Sequence, residues 1–177
     1  MTIHGNDLTA PVAEPRLPVV DRDTFRSVMG SFVSGVTVVT TLDGDGRPRG
    51  FTCSSVCSVS MSPPLLLASA NARSSTLRAI VERGTFAVNF LNGRARTVSQ
   101  LFASMTDDQF EQVPWSKGET TGMPVLAANV AHAECELDQV VRAGDHDLLL
   151  GRMAGGRALQ DQAPLAYWRG GYVDLLH

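Results

Sequence analysis

Apolar positions at Phe25, Val28, Met29 and Phe32 recur at helical spacing behind Asp21 and Asp23, either of which suits an N-cap, and Gly35 is the expected stop. Beyond it the period shortens to that of strands. Val36 to Leu42 is rich in Val and Thr, and Asp43-Gly44-Asp45-Gly46 is a turn signal, since Asp and Gly tolerate positive φ. Arg49 to Met61 is then expected to return as one strand of a hairpin, broken by Pro63-Pro64, with Leu65 to Ala70 as a short buried strand. Two helices interrupt the strands. Thr76 to Arg83 places Leu77, Ile80 and Val81 on one side, and Thr97 to Met105 does the same with Val98, Leu101, Phe102 and Met105. Between them Phe86, Val88 and Phe90 alternate. Later, Ala131, Ala133, Cys135 and Leu137 alternate with His132, Glu134, Glu136 and Asp138, as in a half-buried antiparallel strand with a solvated acidic face. Leu148 to Met153 and Leu165 to Leu175 supply the last strands, and Gly155-Gly156 reads as a turn. About six or seven strands without regular βαβ alternation disfavour a doubly wound sheet and predict a mainly β, α+β fold: a small closed barrel with helices outside.

Composition narrows this picture further. In 177 residues, 44% are apolar and 19% charged, enough for one domain with a core that needs no disulfide or metal. Residues 1 to 20, with Pro11, Pro15 and Pro18, read as a flexible arm that a partner subunit could order, and 21 to 177 as the domain. Fifteen Lys plus Arg against eighteen Asp plus Glu leave a charge of −3, which argues against nucleic acid or an anionic membrane as partner. No apolar run approaches a membrane span, and no secretory signature opens the chain. Cys53, Cys57 and Cys135 fit free thiols in a reducing cytoplasm better than a disulfide frame or a zinc knuckle.

The chemistry of single segments stays open. No phosphate loop of the G-x4-G-K-[ST] or G-x-G-x-x-G kind is present, and no G-x-S-x-G elbow. On a strand from Phe51 to Met61, Thr52, Ser54, Ser58 and Ser60 would share a face, suited to a planar polar ligand or, equally, to solvent. Ser69-Ala70-Asn71-Ala72-Arg73-Ser74-Ser75 leads into a helix, where orphan N–H groups, serines and an arginine suit either an anion or an ordinary Ser N-cap. His146, in Gly144-Asp145-His146, could carry a proton, bind a metal or serve as a hydrogen-bonding prop, and no companion ligands point to a metal.

In order along the chain these segments resemble the short-chain flavin reductases, the reductase components of two-component flavin-dependent monooxygenases. The resemblance rests on Phe25-Arg26-Ser27-Val28-Met29-Gly30, Ser34 to Thr41, Gly50 to Ser55, Pro63-Pro64-Leu65, Ser74-Ser75-Thr76, Phe86 to Asn89, Phe102-Ala103, Gly122-Met123-Pro124, Gly144-Asp145-His146 and Tyr167 to Tyr172. It implies an antiparallel split β-barrel with Greek-key connections and two or three flanking helices. It further implies a homodimer with flavin at its interface, and hydride transfer from NADH or NADPH to FMN or FAD. By matching position, Thr37, Val38 and Thr40 would lie beside the isoalloxazine, and Thr52, Cys53, Ser54 and Ser55 would bond its edge or the ribityl chain. Ser69, Ala70, Asn71, Arg73, Ser74 and Ser75 would hold the phosphate, and Phe102 and Tyr172 would flank the ring. His146, with Asp145 orienting its loop, would meet the nicotinamide dinucleotide, with no residue acting as general acid or base. Reduced flavin would then reach a separate monooxygenase by diffusion. Two alternatives are an oxidase of the pyridoxamine-phosphate-oxidase kind and a flavin-binding module without catalysis; NADH consumption with free flavin separates them.

Overall fold

The computed structural model describes residues 17–104, 106, 108–159 and 162–175; the expected arm as far as residue 16, Met105, His4 and His177 lie outside them. Asp21 caps helix α1 (Arg22–Gly30) by accepting from the Thr24 N–H at 2.7 Å. The helix stops at Gly30 rather than at the expected Gly35, which lies in a short strand, β1 (Ser34–Gly35). Its C-terminus is tied by Arg169 N–H to the Gly30 carbonyl and by Trp168 Nε1 to the Ser31 carbonyl.

The main sheet begins with the expected hairpin, β2 (Thr37–Leu42) and β3 (Pro48–Cys53). The long second strand predicted from Arg49 to Met61 is two strands: β3 ends at Cys53, and β4 (Val56–Met61) begins after Ser54-Ser55. β4 pairs with β5 (Pro64–Asn71), which leads into α2 (Ser75–Arg83) and on to β6 (Thr85–Leu91). After α3 (Arg96–Ala103), β7 (Trp115–Lys117) and β8 (Pro124–Leu126) form a small ribbon of their own. A long hairpin follows, β9 (Asn129–Ala143) and β10 (His146–Ala158), and β11 (Ala166–Trp168) and β12 (Gly171–Val173) join β1 in a three-stranded sheet. Gly155-Gly156 is not a turn but lies inside β10 at a bulge against β9.

The seven strands run β3-β2-β6-β9-β10-β5-β4, so β3 and β4, joined by two residues, stand at opposite ends of that order. Only a sheet that curls until its edges meet can be connected so, and the seam is bridged where Cys53 Sγ donates to the Ser69 carbonyl at 3.3 Å. β5 reaches β6 through α2 by passing over two later strands, a Greek-key connection. Two cores result. One fills the barrel with Val39, Ile80, Phe86, Val88, Cys135 and Leu149; the other packs Val36, Val38, Leu91, Phe102, Leu126 and Leu165 under α3 and the β7–β8 ribbon. On α2 Leu77 and Ile80 are buried as expected, but Val81 is exposed and Thr76 and Ala79 take its place inward.

Candidate functional site

Sheet closure brings three separated segments together. The Ser54-Ser55 corner is exposed on both serines, because the chain leaves the ladder there to cross the seam. Its Ser55 carbonyl accepts from the Ser69 N–H at 3.1 Å, which fastens the corner to β5. β5 ends in the Asn71–Ser74 loop, where Asn71 Oδ1 accepts from Arg73 N–H at 2.9 Å and Ser74 caps α2 through the Leu77 N–H at 3.3 Å. The loop is fixed before any ligand arrives, with Asn71, Arg73 and Ser75 exposed beside the first turn of α2. The tip of the β9–β10 hairpin stands next to it: His146 pairs with Asn71 in the ladder, and the Ala72 N–H donates to the Asp145 carbonyl at 3.1 Å.

Asp145 Oδ1 lies 2.8 Å from His146 Nδ1, so the carboxylate fixes the imidazole orientation and leaves Nε2 to face outward. The hydrogen bond to His146 also holds the Asp145 carboxyl below its ordinary range. The histidine side chain is 44% exposed, half presented and half supported.

On the other side of β3, Thr52 Oγ1 donates to the Ser99 carbonyl at 2.6 Å, and Tyr172 OH bonds Ser99 Oγ at 2.9 Å. The Arg96 guanidinium lies over the Tyr172 ring at 5.2 Å from its centroid. Sequence reasoning missed Ser99 and Arg96. The available signal was a serine interrupting the apolar stripe Ala95, Ser99, Phe102 at helical spacing.

Several of the expected site residues have their side chains enclosed by the fold. Val38 and Thr40 are fully buried and Thr37 nearly so, because β2 lies between β3 and β6 with a core on each face. Thr37 Oγ1 donates to the Cys53 carbonyl at 2.7 Å, and Thr40 Oγ1 to the Pro124 carbonyl at 2.6 Å. Ala70 points into the barrel core, and Phe102 is packed edge-on against Phe110 at 5.0 Å instead of flanking an open site. Cys53 turns inward, where burial pushes its thiol pKa up, so that position offers a ligand only backbone. Thr52, Ser54, Ser55, Ser69, Asn71, Arg73, Ser74, Ser75, Asp145, His146 and Tyr172 remain at least partly accessible.

The acidic face expected on β9 holds at the exposed Glu136 and Asp138 and is corrected at Glu134. Glu134 is buried and accepts from the Thr120 and Thr121 N–H groups and from Thr121 Oγ1. A cleft of about 860 Å3 lies elsewhere, lined by Arg26, Ser27, Gly30, Ser31, Tyr167, Arg169 and Gly170. The hydroxyl corner, by contrast, lies on exposed surface.

Comparison with known proteins identifies the family. The family model described as a flavin reductase like domain matches residues 29–176. The chain is 50% identical over 157 residues to a flavin reductase (NADH) of Kitasatospora aureofaciens, spanning 88% of this chain and 82% of that one. It is 35% identical to the reductase subunit of a flavin-dependent monooxygenase from Rhodococcus jostii (strain RHA1), over 88% of this chain and 79% of that one. Among solved structures, the NADH:FAD oxidoreductase of Streptomyces globisporus C-1027 in complex with NAD and FAD fragments superposes with a TM-score of 0.84 at 33% identity, covering 90% of this chain and 98% of that one.

Proposed function

Because the chain belongs to the flavin reductase-like family and is an NAD(P)H:flavin oxidoreductase, we propose that its reaction takes place in the groove where the Ser54-Ser55 corner, the Asn71–Ser75 loop and the His146 hairpin meet. The observation that carries this reading is the pair of backbone bonds, Ser69 N–H to Ser55 and Ala72 N–H to Asp145, that tie these three segments into one wall. Of the readings open to the sequence, the reductase is the one its relatives share.

The residues present suit a flavin. Ser54 and Ser55 offer exposed hydroxyls to a polar ring edge or ribityl chain, and Arg73 with the first turn of α2 offers charge-assisted donors to a phosphate. FMN and FAD share that phosphate, so this loop serves either. Thr52 is committed to Ser99, and its part is to hold the β3 end against α3, where the half-buried Tyr172 also bonds Ser99. His146, aimed by Asp145, orients the nicotinamide dinucleotide by hydrogen bonding through Nε2. When bound, the flavin supplies a two-electron acceptor and the reduced nicotinamide supplies the hydride. The protein contributes position, and no side chain in the groove is needed as an acid or base.

The groove is completed by a second copy of the chain. Phe25, Val28, Met29, Phe32 and Val33 form an apolar face on and just after α1, every one of them at least half exposed. No residue of α1 is buried, so its apolar side chains are left uncovered by its own barrel and are suited to a homodimer interface. Reduced flavin leaving an open groove would reach a partner monooxygenase by diffusion, in keeping with the reductase-subunit relatives.

Anaerobic mixing of the protein with FMN or FAD and NADH or NADPH tests the reading through bleaching of the oxidised-flavin absorbance. Bleaching at a rate proportional to protein is expected; no bleaching with any of the four pairs overturns it. His146→Ala is expected to raise KM for the nicotinamide substrate while leaving the flavin Kd within about twofold.

A further inference from the structure

The hairpin that presents His146 turns through Gly144-Asp145, with Gly144 at φ 65°, a two-residue loop of the II′ pattern. Its last rung pairs Ala143 with His146, and the next pairs Arg142 with Asp147. On that second rung Arg142 Nε lies 2.6 Å from Asp147 Oδ1. The two partners differ sharply in exposure: the arginine side chain is 67% exposed and the aspartate 9%. An enclosed carboxylate held at this distance by a guanidinium is more than a surface contact between mobile side chains.

Side chains alternate along β10, which puts His146 on the outer face and Asp147 on the face that continues to the fully buried Leu149. Asp147 also lies opposite the buried Ala70 of β5, just as His146 lies opposite Asn71. The peptide between positions 146 and 147 is shared. Anchoring Asp147 inward to Arg142 therefore fixes the twist of the rung from which the imidazole projects. The Asp145 carboxylate sets the ring's tautomer, and the Arg142–Asp147 pair sets the direction of the ring's stem.

We infer that Arg142 and Asp147 are a positioning pair, acting through His146 to aim it at the nicotinamide dinucleotide without touching that substrate. The inference rests on the reading of His146 given above, and it assigns specificity for the nicotinamide, not the flavin, to the rim of the β9–β10 hairpin.

The test is a double-mutant cycle on the full chain, with NADH and FMN as probes. Arg142→Met is expected to raise KM for NADH about threefold or more, with kcat and the FMN Kd each changing by less than about twofold, and Arg142→Lys to recover most of the loss. In a His146→Ala background, Arg142→Met is expected to add nothing, because the pair acts only through the absent ring. An unchanged KM in folded Arg142→Met protein overturns the inference. So does a rise of equal size in the His146→Ala background, or an FMN Kd that weakens in parallel. If Arg142→Met does not fold, Asp147→Asn, which keeps the shape and removes the charge, replaces it under the same criteria. A His146→Ala protein that still oxidises NADH with an unchanged KM overturns the reading of His146 itself, an outcome distinct from failure of the pair.

Discussion

Glu134 is a carboxylate buried on β9. Alternation with Ala133 and Cys135 places it on the opposite face of β9, yet that face is covered by the 118–122 loop, whose N–H groups converge on the carboxylate. Burial pushes its pKa upward, but donation from the Thr121 N–H and hydroxyl and the Thr120 N–H outweighs this, and the folded pKa lies below the ordinary 4.5. His132, with Nε2 at 3.9 Å from Oε1, pulls in the same direction. A lowered carboxylate pKa contributes stability that is complete above about 4.5 and is lost as pH falls through the folded value. Glu134→Gln is expected to cost about 1–3 kcal/mol at neutral pH and to flatten the acid-side decline of stability. Urea unfolding between neutral and acid pH measures both. Other buried polar residues follow the same logic: Asn89 donates to the Val38 carbonyl and Thr40 Oγ1 and accepts from the Leu126 N–H, which docks β8 onto β2 and β6.

Among the elements, the informative errors are at places where regular patterns are interrupted. The Thr/Ser alternation from Phe51 to Met61 continues without a break in sequence, but Ser54-Ser55 leave the ladder so that the chain can cross from one sheet edge to the other. Hydroxyls expected on one strand face are therefore divided among β3 (Thr52), the corner (Ser54) and β4 (Ser58 and Ser60). Gly155-Gly156, with the composition of a turn, pair with Glu134 and Ala133 inside β10, just past a bulge at Ala154. Gly156 takes φ 147°, and an added Cβ there would run into the His132 carbonyl and the Ala133 backbone. Gly156→Ala is expected to destabilise the fold by about 1–3 kcal/mol and to lower Tm by several degrees in a thermal melt. Where the pattern was long and uninterrupted, as on α2, β2, β5 and β6, element type and approximate extent matched the prediction.

For the whole molecule, the uncovered α1 face supports the proposal that a second copy of the chain completes the groove. A charge placed on the apolar face tests this. Phe32→Asp is expected to shift the protein from dimer to monomer in sedimentation equilibrium and to weaken flavin binding without lowering the helix or strand content seen by circular dichroism. A dimer that persists with unchanged flavin affinity would remove α1 from the interface. Among the described residues no helix is long and apolar enough to cross a membrane.

The sequence by itself determined what depends on near neighbours: periodicity, the Asp21 and Ser74 caps, the β2–β3 turn, and an ordered set of segments specific enough to name a family. Local propensity acts within a few residues, so these features are written in contiguous stretches. Tertiary structure alone decided which hydroxyls are available. Thr37 and Thr40 carry the same functional group as Ser54 and Ser55, but the first two are sealed between two cores and the last two lie at an open seam. That difference depends on which strands become neighbours when the sheet closes. So does the Arg142–Asp147 pair, whose importance lies in burial that no spacing along the chain reveals.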